Sequence, residues 1–478
     1  MSAIDLSDFD ALGIAELVRK KQLSAHEALD WALSSVADRD RNIRSVWTTF
    51  EDRARAEIGA GLPDGPFQGV PFLVKDLGLR LEGTVTSSGS RFFANAVATS
   101  TSELVRRYQR AGLVIFGKTS TSEFGLGPSA DTDLFPVTNN PWNLERIPGG
   151  SSSGSAAAVA AGILPLVHAS DGGGSIRIPA ACCGVFGMKP SRGRITYAPV
   201  AESWSGMSTQ HAVSHTVRDN AALLDATHGG FPGDPYYCPP PSGGFLQASL
   251  IDPKSLRIGM HIRSVDGVDP EPEIASAIEN YAQKLQSLGH RIERCEPDFN
   301  LNDVGVLYGI ITSATVTAMI EDRTKELGRP PHNNELLAVT RQVAKNGLNH
   351  SAVDLARARE SVFIASRKIA SFTERFDVVL CPTVAHLPPK HGLYDMRNEN
   401  FQDYMSTIFR FAPYTAPASL AGQPAMSVPC AVSTSGLPIG AHFSAPFAHE
   451  ENLYSLAGQL ERAYPWPRTA PLPRLWAQ

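Results

Sequence analysis

Charge is scarce in this sequence: charged residues make up 19% of the 478 positions, and the formal net charge is -5. No run of lysine or arginine stands out, so the electrostatic footprint of a nucleic-acid partner is missing. Long apolar runs are missing too. The longest, near Ala156, is alanine-rich and broken by Gly162 and Pro165, too short to cross a bilayer. The six cysteines (Cys182, Cys183, Cys238, Cys295, Cys381, Cys430) make no C-x-x-C pair and no Cys/His metal spacing, which points to reduced structural thiols and no metal. The first residues, MSAIDLSDFD, are acidic and lack the basic flank and apolar stretch of a secretory signal. These absences predict a cytoplasmic protein with no nucleic acid, no membrane and no metal among its partners.

What is present is a large core and an alternating pattern. Hydrophobic residues reach 42%, enough for a globular fold. A prior of about 150 residues per domain would suggest roughly three, but helical and strand patterns alternate along the chain without internal repeat. Residues 69–79 read as a buried strand with one lysine inside, and Leu113–Phe116 as another. Ser155–Ala161 reads as a helix, Ile163–Val167 as a strand, and Ala425–Val432 with Ile439–Phe443 as a hairpin across Ser435-Gly436. The Pro/Gly-rich stretch 229–244 is the best linker candidate, yet the strand LRIGM after it predicts that the same sheet continues. The whole chain, 1–478, is therefore read as one α/β domain: a large mixed, twisted sheet covered on both faces by helices. The helix-rich segment of about 301–350 reads as a variable cap.

Chemistry concentrates between Gly149 and Gly193, where two glycine-serine turns punctuate apolar runs. Three patterns compete there and nearby. Gly112-x-x-x-x-Gly117-Lys118-Thr119 has the spelling of a phosphate loop, but its four middle residues are Leu113, Val114, Ile115 and Phe116. A phosphate cradle needs exposed N–H groups after the strand, and here the supposed loop is the strand. Gly150-Ser151-Ser152-Ser153-Gly154 spells a nucleophile elbow around Ser152, but a polar loop with two prolines precedes it instead of a strand. The third pattern joins Ser151, Ser175 and Lys75, the lysine lying between Leu73-Val74 and Leu77. Desolvation there would lower the lysine pKa and make it a general base for a serine nucleophile. Glycine at 172, 173 and 174 lets successive N–H groups converge on a developing oxyanion.

At this point the sequence resembles a known family, the amidase signature hydrolases. The resemblance rests on the Gly149–Gly193 stretch and on GVPFLVKDL, AGLVIFGKTSTSEFG, NPWN, TVRDNAALLDA, FDVVLCPT and SLAGQPAMSVPC with GLPIG, in family order over most of the chain. The corresponding core spans about 69–226. By resemblance, Lys75 matches the catalytic lysine, Ser151 the bridging serine after a cis peptide, and Ser175 the nucleophile. The backbone N–H groups of Gly172, Gly173, Gly174 and Ser175 match the oxyanion hole. The resemblance thus implies an amidase without cofactor that takes a small-molecule amide, with esters and carbamates as further substrates. Homodimers are common in such a family. Two other readings stand beside it: a glutaminase subunit of an amidotransferase, and an α/β-hydrolase-type esterase using Ser152.

Supporting roles are expected for Ser152, hydrogen-bonded within the triad, and for Asp171 and Arg177, read as a local ion pair rather than a clamp for a substrate carboxylate. Two departures from the family pattern stand out. Ser153 replaces a usual glycine, which questions any conformation there that demands glycine, and Gly172 replaces a frequent threonine, which would loosen the oxyanion turn. Pocket walls are expected from 125–133, 308–319 and 409–414, whose apolar and aromatic character suggests a hydrophobic or aryl acyl group.

Overall fold

The computed structural model describes residues 5–299 and 304–471. Its strands, in chain order, are β1 Val46–Thr49, β2 Pro71–Lys75, β3 Val114–Thr119, β4 Leu166–Asp171, β5 Phe186–Lys189, β6 Thr209–Ser214, β7 Arg257–Met260, β8 Arg291–Arg294, β9 Val378–Pro382, β10 Ala425–Val432 and β11 Pro438–Ser444. The first three form a small sheet of order β1-β3-β2; the rest form an eight-stranded sheet of order β4-β6-β5-β10-β11-β9-β7-β8. Pairing is mixed: β2 and β3 run parallel, as do β7 with β8 and with β9, and the remaining neighbours are antiparallel. The sheets meet edge to edge, where the Lys75 N–H donates to His168 Nδ1 at 3.1 Å across the β2/β4 seam. That seam brings Lys75 beside the strand leading to Ser175.

Alternation along the strands explains the two apolar layers. In β4, Leu166 joins a cluster with Leu223, Phe245 and Leu456 on one face. Val167 and Ala169 join Val159, Ala160 and Ile163 on the other. Strands buried on both faces suit a sheet sandwiched by helices, as expected. The hairpin β10–β11 forms as read, and β7 does join the large sheet after the Pro/Gly-rich stretch. The first three residues of the expected cap, 301–303, lie outside the described residues. The helices Val304–Leu327 and Ala338–Asn349 fill most of the remainder and pack through Val316, Ile320, Val339 and Val343. No described helix is long and apolar enough to cross a membrane.

Three boundaries differ from the sequence reading, each for a physical reason. The helix expected over 155–161 is Ser153–Ala160, because the small residues Ser153 and Gly154 accept helical geometry. The strand expected over 163–167 is β4, shifted to Leu166–Asp171. Gly162, at φ +71°, ends the preceding helix, and the strand then runs through His168, Ser170 and Asp171, all buried. Hydropathy hides such a strand because its polar groups find partners inside the protein. Likewise β3 runs past Phe116 to Thr119, so Lys118 lies inside a strand rather than in a phosphate loop, its Nζ 3.4 Å from Asp76 Oδ1. All six cysteines are free.

The C-terminal helix Glu450–Ala463 is held by a buried ion pair. Arg194 Nε and Nη2 donate to Glu450 Oε1 and Oε2 at 2.9 and 2.8 Å, and the Ser191 N–H adds a third bond at 2.9 Å. Replacing Glu450 by Ala leaves a buried guanidinium without its counter-charge, an expected loss of about 3–5 kcal/mol. Urea unfolding measures it, and a loss below about 1 kcal/mol would mean that nearby carbonyls satisfy Arg194 equally well.

Candidate active site

β4 delivers its last residue, Asp171, directly into the turn Gly172-Gly173-Gly174-Ser175, and the helix Arg177–Cys183 follows. Glycine is required at two of these positions for different reasons. At Gly174, φ is +141° and an added Cβ would collide with Thr415 and Ile178. At Gly172, a Cβ would lie 2.6 Å from the Trp204 ring. The tryptophan therefore fills the space that a larger residue would take. This answers the concern about Gly172: the turn is packed by an aromatic ring rather than loosened.

Asp171 and Arg177 close the base of the turn. Arg177 Nε and Nη2 each donate to an Asp171 oxygen at 2.9 Å, and both side chains are fully buried. Asp171 Oδ2 also accepts the Ile176 N–H at 3.1 Å. Burial alone would raise the Asp171 pKa, but the charge and hydrogen bonds of Arg177 outweigh it and hold the carboxyl at about 2. Arg177 Nη2 gives its second proton to Ser419 Oγ at 3.0 Å, and Nη1 donates to the Thr415 carbonyl at 2.7 Å and to His442 Nε2 at 2.8 Å. Nothing is left for a substrate carboxylate, so the local ion pair is the reading that the geometry supports.

Lys75 ends β2 and is completely buried. Its Nζ donates to Ser151 Oγ at 2.8 Å and to Ser170 Oγ at 3.1 Å. Desolvation pulls the ammonium pKa from 10.5 down to about 7, and the negative charge of Asp171 opposes part of that fall. Beside it, His168 is held down to about 3, first by burial and then by the charge of Lys75. Its Nδ1 accepts the Lys75 backbone N–H, so the neutral ring carries its proton on Nε2, facing Gln210 Oε1 at 3.2 Å. His168 is thus a fixed neutral support, not a base.

Ser151 follows a cis peptide bond, Gly150–Ser151. Gly125 lies against it: a Cβ there would be 3.4 Å from Ser151 Oγ. Ser175 is half-buried at the end of the glycine turn. The two turns are tied through the backbone by the residue after Ser151, the Ser152 N–H donating to the Ser175 carbonyl at 3.3 Å. Among the described residues the Ser175 hydroxyl makes no protein hydrogen bond, so the last link from Ser151 is not formed in this conformation. Such links commonly close only when substrate is bound.

Ser152 departs from its expected place in the relay. Its hydroxyl donates to the Ser170 carbonyl at 3.1 Å and accepts the Ser170 N–H at 3.3 Å, pinning β4 instead. It is fully buried, hydrogen-bonds to neither Lys75 nor a histidine among the described residues, and follows no strand, unlike the elbow that the esterase reading needs. Ser153 also settles into place. It opens a helix without positive φ, and its hydroxyl donates to the Gly149 carbonyl at 2.6 Å. Of the expected pocket walls, Gly125 and Tyr308 reach the site, whereas Tyr414 turns away and donates to the Ile262 carbonyl at 2.9 Å.

The sequence reading missed Ser170, Trp204 and Thr415. Ser170 was findable: two residues beyond His168, it must share that residue's face of β4 once the strand is extended. Trp204 and Thr415 come from loop and helix edges distant in sequence and carry no local signal.

A family model described as Amidase matches residues 33–454 of the chain. The chain belongs to the amidase family. The 6-aminohexanoate-cyclic-dimer hydrolase of Paenarthrobacter ureafaciens is 33% identical over 485 residues, covering 98% of each chain. A solved 6-aminohexanoate cyclic dimer hydrolase complexed with substrate superposes with a TM-score of 0.92 at 33% identity, covering 98% of this chain and 99% of that one. A bacterial aryl acylamidase of the amidase signature enzymes shares the fold, with a TM-score of 0.86 at 24% identity over 96% of both chains. This amidase is thus a hydrolase of amide bonds on the amidase signature fold.

The turn of this amidase offers a direct check on its packing. Gly172→Ala should cost about 1–3 kcal/mol through overpacking against Trp204. Gly173→Ala, whose Cβ would find nothing nearer than 3.9 Å, should change stability by less than about 0.5 kcal/mol. Denaturant unfolding of both variants decides the matter. Equal midpoints would show that Trp204 yields and does not set the residue at 172.

Proposed function

We propose that this amidase hydrolyses hydrophobic or aryl amides through an acyl-enzyme on Ser175, with Lys75 and Ser151 as its proton relay. The observation that carries the reading is the buried Lys75 amine, lowered to about 7 and 2.8 Å from Ser151 Oγ. A neutral amine at working pH takes a proton from Ser151 as Ser151 takes one from Ser175. The Ser175 oxygen attacks the amide carbon, and the negative charge that forms on the carbonyl oxygen lies against the N–H groups of Gly172, Gly173, Gly174 and Ser175. Among the described residues the N–H groups of Gly173, Gly174 and Ser175 donate to no protein acceptor, which supports that use. One such donor is worth about 3 kcal/mol of barrier. The relay then returns the proton to the leaving nitrogen, the C–N bond breaks, and water enters by the same route to release the acid.

The cyclic dimer of 6-aminohexanoate, for which the relative above is named, belongs first in the substrate panel, followed by aryl amides, esters and carbamates, which would form the same acyl-enzyme. Glutamine belongs there too: release of ammonia from it alone would favour the amidotransferase reading.

The test begins without a substrate. A fluorophosphonate should add stoichiometrically to Ser175, located by tandem mass spectrometry, and Lys75→Ala should slow that reaction by about 10²–10⁴-fold. Because the active form of Lys75 is the neutral one, the labelling rate should rise with pH, reach half its maximum near pH 7 and level off above. An adduct on another serine, or a rate flat between pH 5 and 9, would sink the relay.

A further inference from the structure

We infer that Tyr308 and Thr415 are positioning residues that aim the oxyanion-binding N–H groups, each by holding the opposite end of one peptide plane. The inference rests on the acyl-enzyme reading above. Tyr308 Oη donates to the Gly172 carbonyl at 2.8 Å, and Thr415 Oγ1 donates to the Gly173 carbonyl at 2.6 Å. In a trans peptide the carbonyl of one residue and the N–H of the next lie in one plane and point in opposite directions. Fixing the Gly172 oxygen therefore fixes the Gly173 N–H, and fixing the Gly173 oxygen fixes the Gly174 N–H. The third plane is held by the fold itself, since the Gly174 carbonyl accepts the Ile178 N–H at 2.7 Å. Three successive planes thus have their oxygens tethered, with their N–H groups turned the other way.

Tethers are needed because consecutive glycines have the widest choice of φ and ψ, and an unheld plane can turn its N–H away. Preorganised donors stabilise charge only if they need no reorientation during the reaction. Thr415 is itself anchored, its carbonyl bound by Arg177, which Asp171 holds in turn. Tyr308 comes from the helix Val304–Leu327, outside the core that carries the serines. Burial, aided by the charge of Asp171, pushes its phenol pKa up, so the hydroxyl remains a donor through the working range. Helix Val304–Leu327 is in this way part of the oxyanion site and not merely a wall beside it.

Saturation kinetics of fluorophosphonate labelling separate chemistry (kinact) from binding (KI). Tyr308→Phe keeps the ring and Thr415→Val keeps the volume, so each removes a tether alone. Each should lower kinact by about 10–100-fold, less than deletion of a whole oxyanion donor, with KI within about twofold. Thr415→Ser, which restores the hydroxyl, should label within about threefold of the unaltered protein. The labelling end point counts folded sites, so a partly unfolded sample does not distort the rate constants. Failure of the unaltered protein to label Ser175 would defeat the acyl-enzyme reading. If it labels normally, unchanged kinact in both variants, a rise in KI alone, or no rescue by Thr415→Ser would each overturn the positioning role.

Discussion

A buried lysine without a counter-ion of its own is the constraint around which this structure is arranged. Lys75 is wholly buried, and among the described residues its amine bonds only to two serine hydroxyls. An uncompensated charge in such a place costs several kcal/mol, so the amine gives up its proton near neutrality. The neighbouring strand shows the alternative. Lys118 is equally buried in β3, but it has Asp76 at 3.4 Å. Alternation along an extended chain sends Asp76 to the face opposite Lys75, so adjacent residues in sequence serve different sites. One lysine keeps an ion pair, and the other has only hydroxyl partners among the described residues.

The second constraint is the Asp171–Arg177 pair, which explains why Asp171 does not simply neutralise Lys75. Its carboxylate is engaged by both arms of a guanidinium and by the Ile176 N–H. Its field still reaches the lysine and raises that pKa somewhat, but desolvation is larger, and the result is about 7 rather than a permanently charged amine. A buried pair of this kind adds little net stability compared with an apolar packing of the same volume. Its value here is geometric: it joins the end of β4, the start of the helix Arg177–Cys183 and the Thr415 carbonyl in one rigid corner.

How much of this was legible in the sequence depended on whether the signal was local. Lys75 stood out because a charge inside an apolar strand is an anomaly. Ser151 and Ser175 stood out through glycine spacing, and Asp171 with Arg177 through opposite charges across a tight turn. Legibility ended where polar residues were satisfied across the sheet. Sequence pattern ends the β4 strand at Val167, because His168, Ser170 and Asp171 look like a loop until their partners Lys75, Gln210, Ser152 and Arg177 are known. The Gly172 departure is illegible for a similar reason. From sequence it is a lost side chain; in the fold it is room made for Trp204, about 30 residues away.

The glycines therefore have a double consequence. They let the chain carry its N–H groups to the surface of a half-buried turn beside Ser175, and they remove the side chains that would otherwise hold that turn in shape. The missing rigidity is supplied from outside, by the ring of Trp204 packed on Gly172 and by hydroxyls from Tyr308 and Thr415 on the carbonyl side. Each of these comes from a different part of the chain, and none belongs to the glycine-serine motif itself. A motif can therefore be spelled correctly while its geometry depends on residues more than 100 positions away, as Tyr308 is from Gly172. Small residues in the turn and bulky residues behind it are two halves of one arrangement, and neither half holds the turn in shape alone.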